Sequence, residues 1–386
     1  MAKKFSILLA VVIVMTMVLT ACGPAATTAP AATTAPAATT APVATTVPVA
    51  TTAPAATTAP VAKKVLACMV TDIPKVFDKS FNETTWNGIL AAKAAYGTDG
   101  KYLTSNSAAD YDKNIQAFID GKCDLIIGIG FLLGDSIKKA AEANPTLHFA
   151  IVDYSYSPTI ANVNGQVFQT DEAAYLAGYL AAGMTKTGKV GTFGGLPIPT
   201  VTIFMDGFAR GVEAYNTKHS TTVKVIGWDL KNAKGGTFAN SFSDQTKGKE
   251  IANSMMDEGV DIIMPVAGPV GYGAAAAALE RGNVLIIGVD SDWNLPDENA
   301  TYRPIILTSV MKGMDKTLMT TIKAVQDGTF KGGITIGNLA NSGVSLAPFH
   351  DLDVKVSAAL KAEIEAIKAD LAAGKITLNP DFMIKP

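Results

Sequence analysis

The sequence predicts an α/β fold of two lobes, each a doubly wound parallel sheet with helices on both faces, joined by a hinge. From Lys63 onward, short apolar runs alternate with amphipathic stretches, and strand–helix–strand order produces parallel sheets with right-handed crossovers. The strand candidates are continuous Val/Ile/Leu runs, which indicates sheets buried on both faces. About ten strands exceed one comfortable sheet, so two lobes fit better.

Each strand candidate is followed along the chain by helix-forming sequence. The first strand lies in "KVLACMV" and its helix in "WNGILAAKAAY"; "CDLIIGIG" then precedes "LLGDSIKKAAEAN", which Pro145 ends. The remaining strand candidates are LHFAIVD, KVGTFGG, VKVIGWDL, VDIIMPVAG and VLIIGVD. The remaining helix candidates are TDEAAYLAGYLAAGMTK, VTIFMDGFARGVEAYNTK, DQTKGKEIANSMMDEG and GYGAAAAALERG.

Residues 1–21 have the pattern of a lipoprotein signal peptide. Lys3 and Lys4 form a basic start, and the apolar stretch that follows is shorter than the ~20 residues that span a bilayer. The segment ends in "LTAC", which resembles a bacterial lipobox. We therefore expect export and lipidation of Cys22, which anchors the chain to the outer face of the cytoplasmic membrane. An uncleaved membrane anchor is the alternative.

Residues 22–61 have the composition of a disordered tether. From Ala25 to Pro60 a hexad related to AATTAP occurs six times without a charged residue. Such a stretch cannot bury enough apolar area to offset the entropy of ordering it. Proline in every repeat favours extended conformations, and the tether would reach on the order of 110 Å at ~3.1 Å per residue.

Charge and cysteine content exclude some classes of partner. The formal net charge is −2, and without a basic stripe the chain is not expected to bind nucleic acid. Cys68 lies in the first apolar strand, and Cys123 immediately precedes "DLIIGIG". An exported protein can form a disulfide, but we expect two buried free thiols here.

Three strand candidates end in an aspartate: Asp72, Asp153 and Asp290. Ligands of open parallel sheets bind outside the carboxyl ends of the strands. Ionised aspartate only accepts hydrogen bonds, so three such groups suit a ligand rich in O–H or N–H donors. The alternatives are that each aspartate caps the next helix, or that two of them form an acid–base pair.

The stretch "KSFN" places Phe81 and Asn82 where the first strand leads into its helix. A phenylalanine ring offers a flat face for a planar heterocycle, and a carboxamide carries both a donor and an acceptor for its edge. The alternatives are a hydrophobic staple for Phe81 and an N-cap for Asn82.

Together these motifs resemble the basic membrane lipoprotein family. The resemblance rests on "VTD…DKSFNETTWNG", "FAIVDY", "TDEAAYLAGYLAA", "GTFGG", "FMDGFARGVEAY", "SFSDQTKGKEIA", "PVAGPVGYG", "IIGVDSD" and "ILTSVMK", and covers the chain from about Val65 to its end. Members are substrate-binding lipoproteins of ABC importers that bind purine nucleosides. The resemblance implies a type I periplasmic-binding-protein fold that clamps its ligand between two lobes.

The resemblance also implies ligand-binding roles for individual residues. Phe242 of "SFSD" would face Phe81 across the purine, and Gly268 of "VAGPVG" would allow close backbone approach. Asp290 would accept from ribose hydroxyls, and Lys312 of "SVMK" would bond the base or a carboxylate of the site. The full set is Asp72, Phe81, Asn82, Asp153, Phe242, Gly268, Asp290 and Lys312. Phe204 and Trp293 are further cleft candidates. No metal or cofactor is expected.

One loop departs from the family pattern. After "TD" the family has glycines and then paired acids, whereas "IPKVF" stands here and only Asp78 remains of the acid pair. The segment "GWDLKNAKGGTFANSFSD" is longer than usual. A riboflavin-like ligand, also a planar ring with a polyol tail, is therefore kept as an alternative to a nucleoside.

We predict one lobe from residues 62–169 and 291–330 and the other from 170–290 and 331–386. The chain would cross between them near Gln169, Asp290–Asn294 and Gly328–Gly333. The expected partners are a nucleoside and an ABC permease, and the chain is expected to be a monomer.

Two other function classes remain open. An enzyme is disfavoured because H-E-x-x-H, G-x-S-x-G and Walker A motifs are missing from the sequence, and His148, His219 and His350 are far apart in it. A surface interaction protein is suggested by the long tether.

Overall fold

The computed structural model describes residues 64–73, 75–232 and 235–378. The predicted signal peptide (1–21), the lipidated Cys22 and the tether (22–61) lie outside these residues. The described part belongs to one compact unit, Pro60–Pro386. Within it, no helix is both long and apolar enough to cross a membrane.

Strands and helices alternate along most of the described chain, as the apolar pattern predicts. The strands are β1 (Leu66–Thr71), β2 (Asp99–Leu103), β3 (Leu125–Ile129), β4 (His148–Val152), β5 (Val163–Phe168), β6 (Lys189–Gly194), β7 (Lys224–Ile226), β8 (Ile262–Val266), β9 (Leu285–Asp290), β10 (Ile306–Lys312), β11 (Gly333–Gly337) and β12 (Val344–Leu346). The helices are α1 (Phe81–Tyr96), α2 (Tyr111–Asp120), α3 (Gly134–Ala143), α4 (Thr170–Met184), α5 (Pro199–His219), α6 (Gln245–Asp257), α7 (Val270–Arg281), α8 (Met314–Gln326) and α9 (Ala358–Ala372).

The strands form two six-stranded sheets, which confirms the predicted two-lobe α/β class. The first sheet has the order β11-β5-β4-β3-β1-β2, and the second has the order β12-β10-β9-β8-β6-β7. Neighbouring strands are parallel except for β12, which is antiparallel to β10. Every residue of β3 and of β8 is buried, as expected of sheets covered on both faces.

Within the described residues the chain crosses between the lobes three times, and two of these crossings differ from the prediction. The first lies at Gln169, between β5 and α4. The others lie at Gly313, between β10 and α8, and between β11 and β12. The predicted crossings near 290–294 and 328–333 are therefore wrong: β10 lies in the second sheet and β11 in the first. The apolar pattern identifies a buried strand but not the sheet that it joins.

Two helix pairs approach each other closely at glycines. These contacts show which lobe is covered by α8 and by α4, the helices that follow two of the crossings. A Cβ on Gly88 of α1 would lie 2.7 Å from the carbonyl oxygen of Asp315, so α8 packs on the first lobe. A Cβ on Gly178 of α4 would lie 1.9 Å from the carbonyl oxygen of Phe208 in α5, so α4 packs on the second.

Cys68 and Cys123 form a disulfide, so the expectation of free thiols is wrong. Cys68 is in β1, and Cys123 stands two residues before β3, which pairs with β1 in parallel. Their Cα atoms are 6.0 Å apart, within the range that a disulfide spans. Sequence spacing did not reveal that β1 and β3 are neighbours.

Replacing both cysteines with serine should lower the free energy of unfolding by roughly 2–4 kcal/mol. The bond joins residues 55 positions apart, and cross-linking a long loop restricts the unfolded chain. Denaturant unfolding of the oxidised protein and the double variant measures this. Equal stabilities would contradict the expected contribution of the bond.

Candidate ligand-binding site

A cavity lies between the two lobes at the carboxyl ends of the parallel strands. Its volume is about 550 Å³ when the part that opens to solvent is counted. Residues of both lobes line it: Asp72, Ile73, Asp78, Phe81, Gly130, Phe131, Asp153, Ile198, Thr200, Val201, Phe204, Phe242, Val266, Ala267, Gly268, Pro269, Val289, Asp290 and Lys312. The structure thus brings together all the sequence-predicted site residues except Asn82.

Lys312, in the lining of this cavity, joins carboxylates of both lobes. Its Nζ lies 2.6 Å from Asp153 Oδ2 and 3.8 Å from Asp290 Oδ1. All three side chains are nearly inaccessible to solvent. Burial raises the pKa of Asp153 and of Asp290, and the Lys312 charge opposes both shifts. Lys312 therefore acts as the counter-ion that lets two buried carboxylates of opposite lobes approach each other.

Aromatic rings surround the same ammonium group. Lys312 Nζ lies 5.1 Å from the ring centroid of Phe81 and 5.2 Å from that of Phe204, distances that allow cation–π attraction. Phe204, a candidate from the sequence, also lines the cavity. Trp293, the other sequence candidate, is fully buried outside the lining, and its indole N–H donates to the carbonyl of Val289.

Phe242 is positioned by a glycine at the end of β6. A Cβ on Gly195 would lie 2.3 Å from the Phe242 ring, so any larger residue there would displace that ring. The chain between β7 and α6 is held to the same strand end, because the N–H of Ala239 donates to Gly194 O and that of Ser241 to Gly195 O. The last two glycines of "GTFGG", Gly194 and Gly195, thereby fix the position of the ring.

Asp72 occupies the end of β1 opposite a second glycine. A Cβ on Gly130 would lie 1.9 Å from Asp72 Oδ2, and Gly130 has a φ of 113° that favours glycine. Burial raises the pKa of Asp72 to about 7, and the neighbouring Asp153 charge adds to the shift. Asp72 can therefore exchange a proton near neutral pH.

Asp78 is a lining residue that the sequence prediction did not include. Its carboxylate accepts backbone N–H bonds from Ser80, Asn82 and Glu83 at 2.9 to 3.1 Å, so it caps the first turn of α1, which begins at Phe81. Burial raises the Asp78 pKa to about 6, although these N–H bonds oppose the shift. The spacing of an acid before "SFN" was the signal available for this capping role.

Asn82 and Phe77 lie outside the cavity lining. Asn82 is fully buried, and its Nδ2 donates to Lys75 O at 2.9 Å, so it holds the loop before α1. The prediction of a direct ligand contact for Asn82 thus has no support in this geometry. Phe77 is 62 % exposed and contacts Tyr102 edge to face, so the departure at Phe77 points away from the cavity, whereas Ile73 faces it.

The cavity carboxylates should make stability fall as pH rises. Asp72 and Asp78 keep protons up to about pH 7 and 6 in the folded chain, whereas unfolded aspartate loses its proton near pH ~4. The folded state therefore binds more protons between these limits, and the free energy of unfolding decreases as pH rises through them.

The change in the free energy of unfolding between pH 4 and pH 8 should be smaller in Asp72→Asn by on the order of 1–2 kcal/mol. The effect has only this size because Asp72 is partly exposed and solvent screens its charge. Denaturant unfolding at both pH values tests this, with the exposed Asp351→Asn as a control. An Asp72→Asn profile parallel to wild type would contradict the assignment.

Comparisons with known proteins agree with this architecture. The family model described as Bmp, ABC transporter substrate-binding protein PnrA-like, matches residues 65–370. Within the described residues, no cluster of three or more His, Cys, Asp or Glu could hold a metal ion.

Relatives are similar over most of their length. The chain is 35 % identical over 328 residues to "ABC transporter nucleoside-binding protein BmpA" of Lactococcus lactis subsp. cremoris, covering 81 % of this chain and 88 % of that one. It is 33 % identical to "Basic membrane protein A" of Borreliella burgdorferi, with 71 % and 79 % covered.

A solved structure shares the fold. A solute-binding protein of an ABC transporter system from Aeropyrum pernix K1 superposes with a TM-score of 0.73 at 26 % identity, covering 82 % of this chain and 93 % of that one. The fold is therefore of the solute-binding type that the resemblance implied. With the family model and these relatives, the chain belongs to the Bmp family of ABC transporter substrate-binding proteins.

Proposed function

We propose that this protein captures a nucleoside with a purine base between its lobes and delivers it unchanged to an ABC permease. The observation that carries the proposal is the combination, in one interlobe cavity, of two phenylalanine rings with three strand-end carboxylates. Aromatic faces stack on bases, and carboxylates accept from hydroxyl and N–H donors. The Lactococcus lactis relative is named as a nucleoside-binding protein.

Each wall of the cavity would have its own role. Phe81 and Phe242 would hold the base between them, because they come from opposite lobes. Asp290 would accept from the ribose hydroxyls. Gly268 has a φ of 52° and no atom within 4 Å of the place its Cβ would occupy, which leaves room for a ligand to approach the backbone there.

The charge of the cavity would select the ligand. Asp72, Asp153 and Asp290 line the cavity together with one lysine, Lys312, which pairs with Asp153, so a phosphate group would meet more carboxylates than cations. A neutral nucleoside with several donors suits this surface better than a nucleotide. The cavity therefore favours ligands that donate hydrogen bonds without carrying negative charge.

Delivery would take place at the membrane surface. Lipidation at Cys22 would anchor the exported chain to the outer face of the cytoplasmic membrane, and residues 22–61 would act as a tether. A tethered binder stays near its permease at high effective concentration. The protein would act as a monomer.

A thermal-shift titration tests the ligand class. The soluble chain from Gly23 onward would be titrated with adenosine, guanosine, inosine, cytidine, riboflavin, ribose and guanosine monophosphate. A ligand that binds only the native state raises the melting temperature. We expect purine nucleosides to raise it and the monophosphate and ribose to leave it unchanged. If only riboflavin raises the melting temperature, the protein binds its ligand between the lobes but the ligand is not a nucleoside. If no compound raises it, the proposal is contradicted.

A further inference from the structure

The turn that precedes α1 bonds directly to the second lobe. The carbonyl of Lys79 accepts from Tyr272 Oη at 3.0 Å and from Ser291 Oγ at 3.2 Å. Ser80 Oγ donates to Asp290 Oδ2 at 3.0 Å and lies 3.3 Å from the carbonyl oxygen of Val289. Ser80 is completely buried, so this contact lies inside the closed interface.

The first-lobe side of this contact is held in place before the lobes meet. The Asp78 carboxylate accepts the N–H of Ser80. Lys79 has a φ of 60°, and its N–H donates to Glu83 Oε2 at 2.9 Å. All of these groups belong to the first lobe, so the turn does not depend on the second lobe for its shape.

The second-lobe side is fixed as well. Tyr272 stacks on Trp293 with ring centroids 4.4 Å apart, and its hydroxyl oxygen accepts from Asn299 Nδ2 at 3.2 Å. Its proton is therefore free to be donated to Lys79 O. Two preformed surfaces of this kind lose little side-chain freedom when they meet.

We propose that Lys79 and Ser80 form a latch that holds the lobes closed without a ligand, and that Ser80 is the positioning residue for Asp290. None of the latch bonds involves a ligand atom, so they form whenever the lobes meet. The ligand-free protein therefore populates the closed form.

Ser80 sets the direction of the Asp290 carboxylate. Asp290 Oδ2 accepts from Ser80, while Oδ1 faces Lys312 Nζ at 3.8 Å. The carboxylate is thus held from both sides only when the first-lobe turn is docked. This part rests on the proposed function, because it makes recognition of ligand hydroxyls by Asp290 depend on closure.

Spin-label distances test the latch in the ligand-free protein. Labels would be placed through Gln116→Cys in α2 and Ser254→Cys in α6, both exposed. These helices follow β2 and β7 along the chain, and those strands are the sheet edges farthest from the crossing strands, so opening should change the distance between the labels. The chain from Gly23 onward lacks Cys22, and its remaining cysteines are joined in the disulfide.

We expect the ligand-free wild type to show a short-distance population that Tyr272→Phe/Ser291→Ala loses. Tyr156→Phe is the matched control, because its hydroxyl donates to Gly134 O within the first lobe; it should keep that population. A single long distance in ligand-free wild type, or identical distributions in wild type and the double variant, would overturn the latch.

Binding by Ser80→Ala tests the positioning role. Wild type should prefer guanosine to 2′,3′-dideoxyguanosine, and Ser80→Ala should reduce that preference by about fivefold or more, as expected for a lost bond to a charged group. An unchanged preference, with both ligands weakened alike, would overturn the positioning role. If wild type binds no nucleoside, the proposed function fails, while the ligand-free distances still decide the latch.

Discussion

Lys312→Met should weaken ligand binding by roughly a hundredfold or more. Lys312 is the cation that pairs with Asp153 at 2.6 Å and faces Asp290 at 3.8 Å. Breaking a buried pair by removing one partner costs about 3–5 kcal/mol, because the other charge stays buried without compensation. Without Lys312, the carboxylates of Asp153 and Asp290 would face each other from opposite lobes. Closure of the lobes would therefore become less favourable. Calorimetric titration of wild type and variant measures the change.

Two further variants separate this effect from a general loss of stability. Lys316→Met removes an exposed lysine of α8 and should leave affinity unchanged. Adding Asp153→Asn to Lys312→Met removes one of the uncompensated charges and should recover part of the affinity. An Lys312→Met variant that binds like wild type would contradict the counter-ion role.

Phe81→Leu and Phe242→Leu should each reduce nucleoside affinity by roughly 5- to 150-fold. Stacking of an aromatic side chain on a base contributes about 1–3 kcal/mol, and leucine retains apolar volume without a flat ring. Both residues line the cavity, one from each lobe. The measurement is the dissociation constant for a purine nucleoside.

Phe77→Leu is the matched control for this pair. Phe77 stands four residues before Phe81 but is 62 % exposed and packs on Tyr102, so its replacement should leave the dissociation constant unchanged. Wild-type affinity in both Phe81→Leu and Phe242→Leu would refute stacking as the basis of recognition.

The sequence predicts the fold class well because its signal is local. Strands buried on both faces appear as continuous apolar runs, as in Ile262–Val266. The sheet that a strand joins is not a local property of its sequence. We predicted β10 in the first lobe and β11 in the second, and the structure has the reverse. No feature of their apolar pattern distinguishes one sheet from the other. The disulfide was missed for the same reason, since it depends on β1 and β3 being neighbours.

The site was predictable where residue type and strand end coincide. Asp72, Asp153 and Asp290 each follow or end a parallel strand, and such ends converge on one edge of a sheet. The direction in which a side chain points from a helix turn was not predictable. Asn82 follows Phe81 directly, yet its side chain donates to the carbonyl of Lys75 instead of lining the cavity. Asp78 was not predicted as a lining residue because its spacing before α1 indicates only a helix cap. The same carboxylate also lines the cavity.

Isothermal titration calorimetry of the chain from Gly23 onward with inosine, guanosine and riboflavin decides whether the interlobe cavity binds a purine nucleoside. We expect one-site binding of a purine nucleoside, with a negative heat-capacity change from burial of the base against the apolar lining of the cavity. Riboflavin should bind more weakly than the purine nucleoside. Binding of riboflavin without measurable binding of either purine nucleoside would contradict the proposed function.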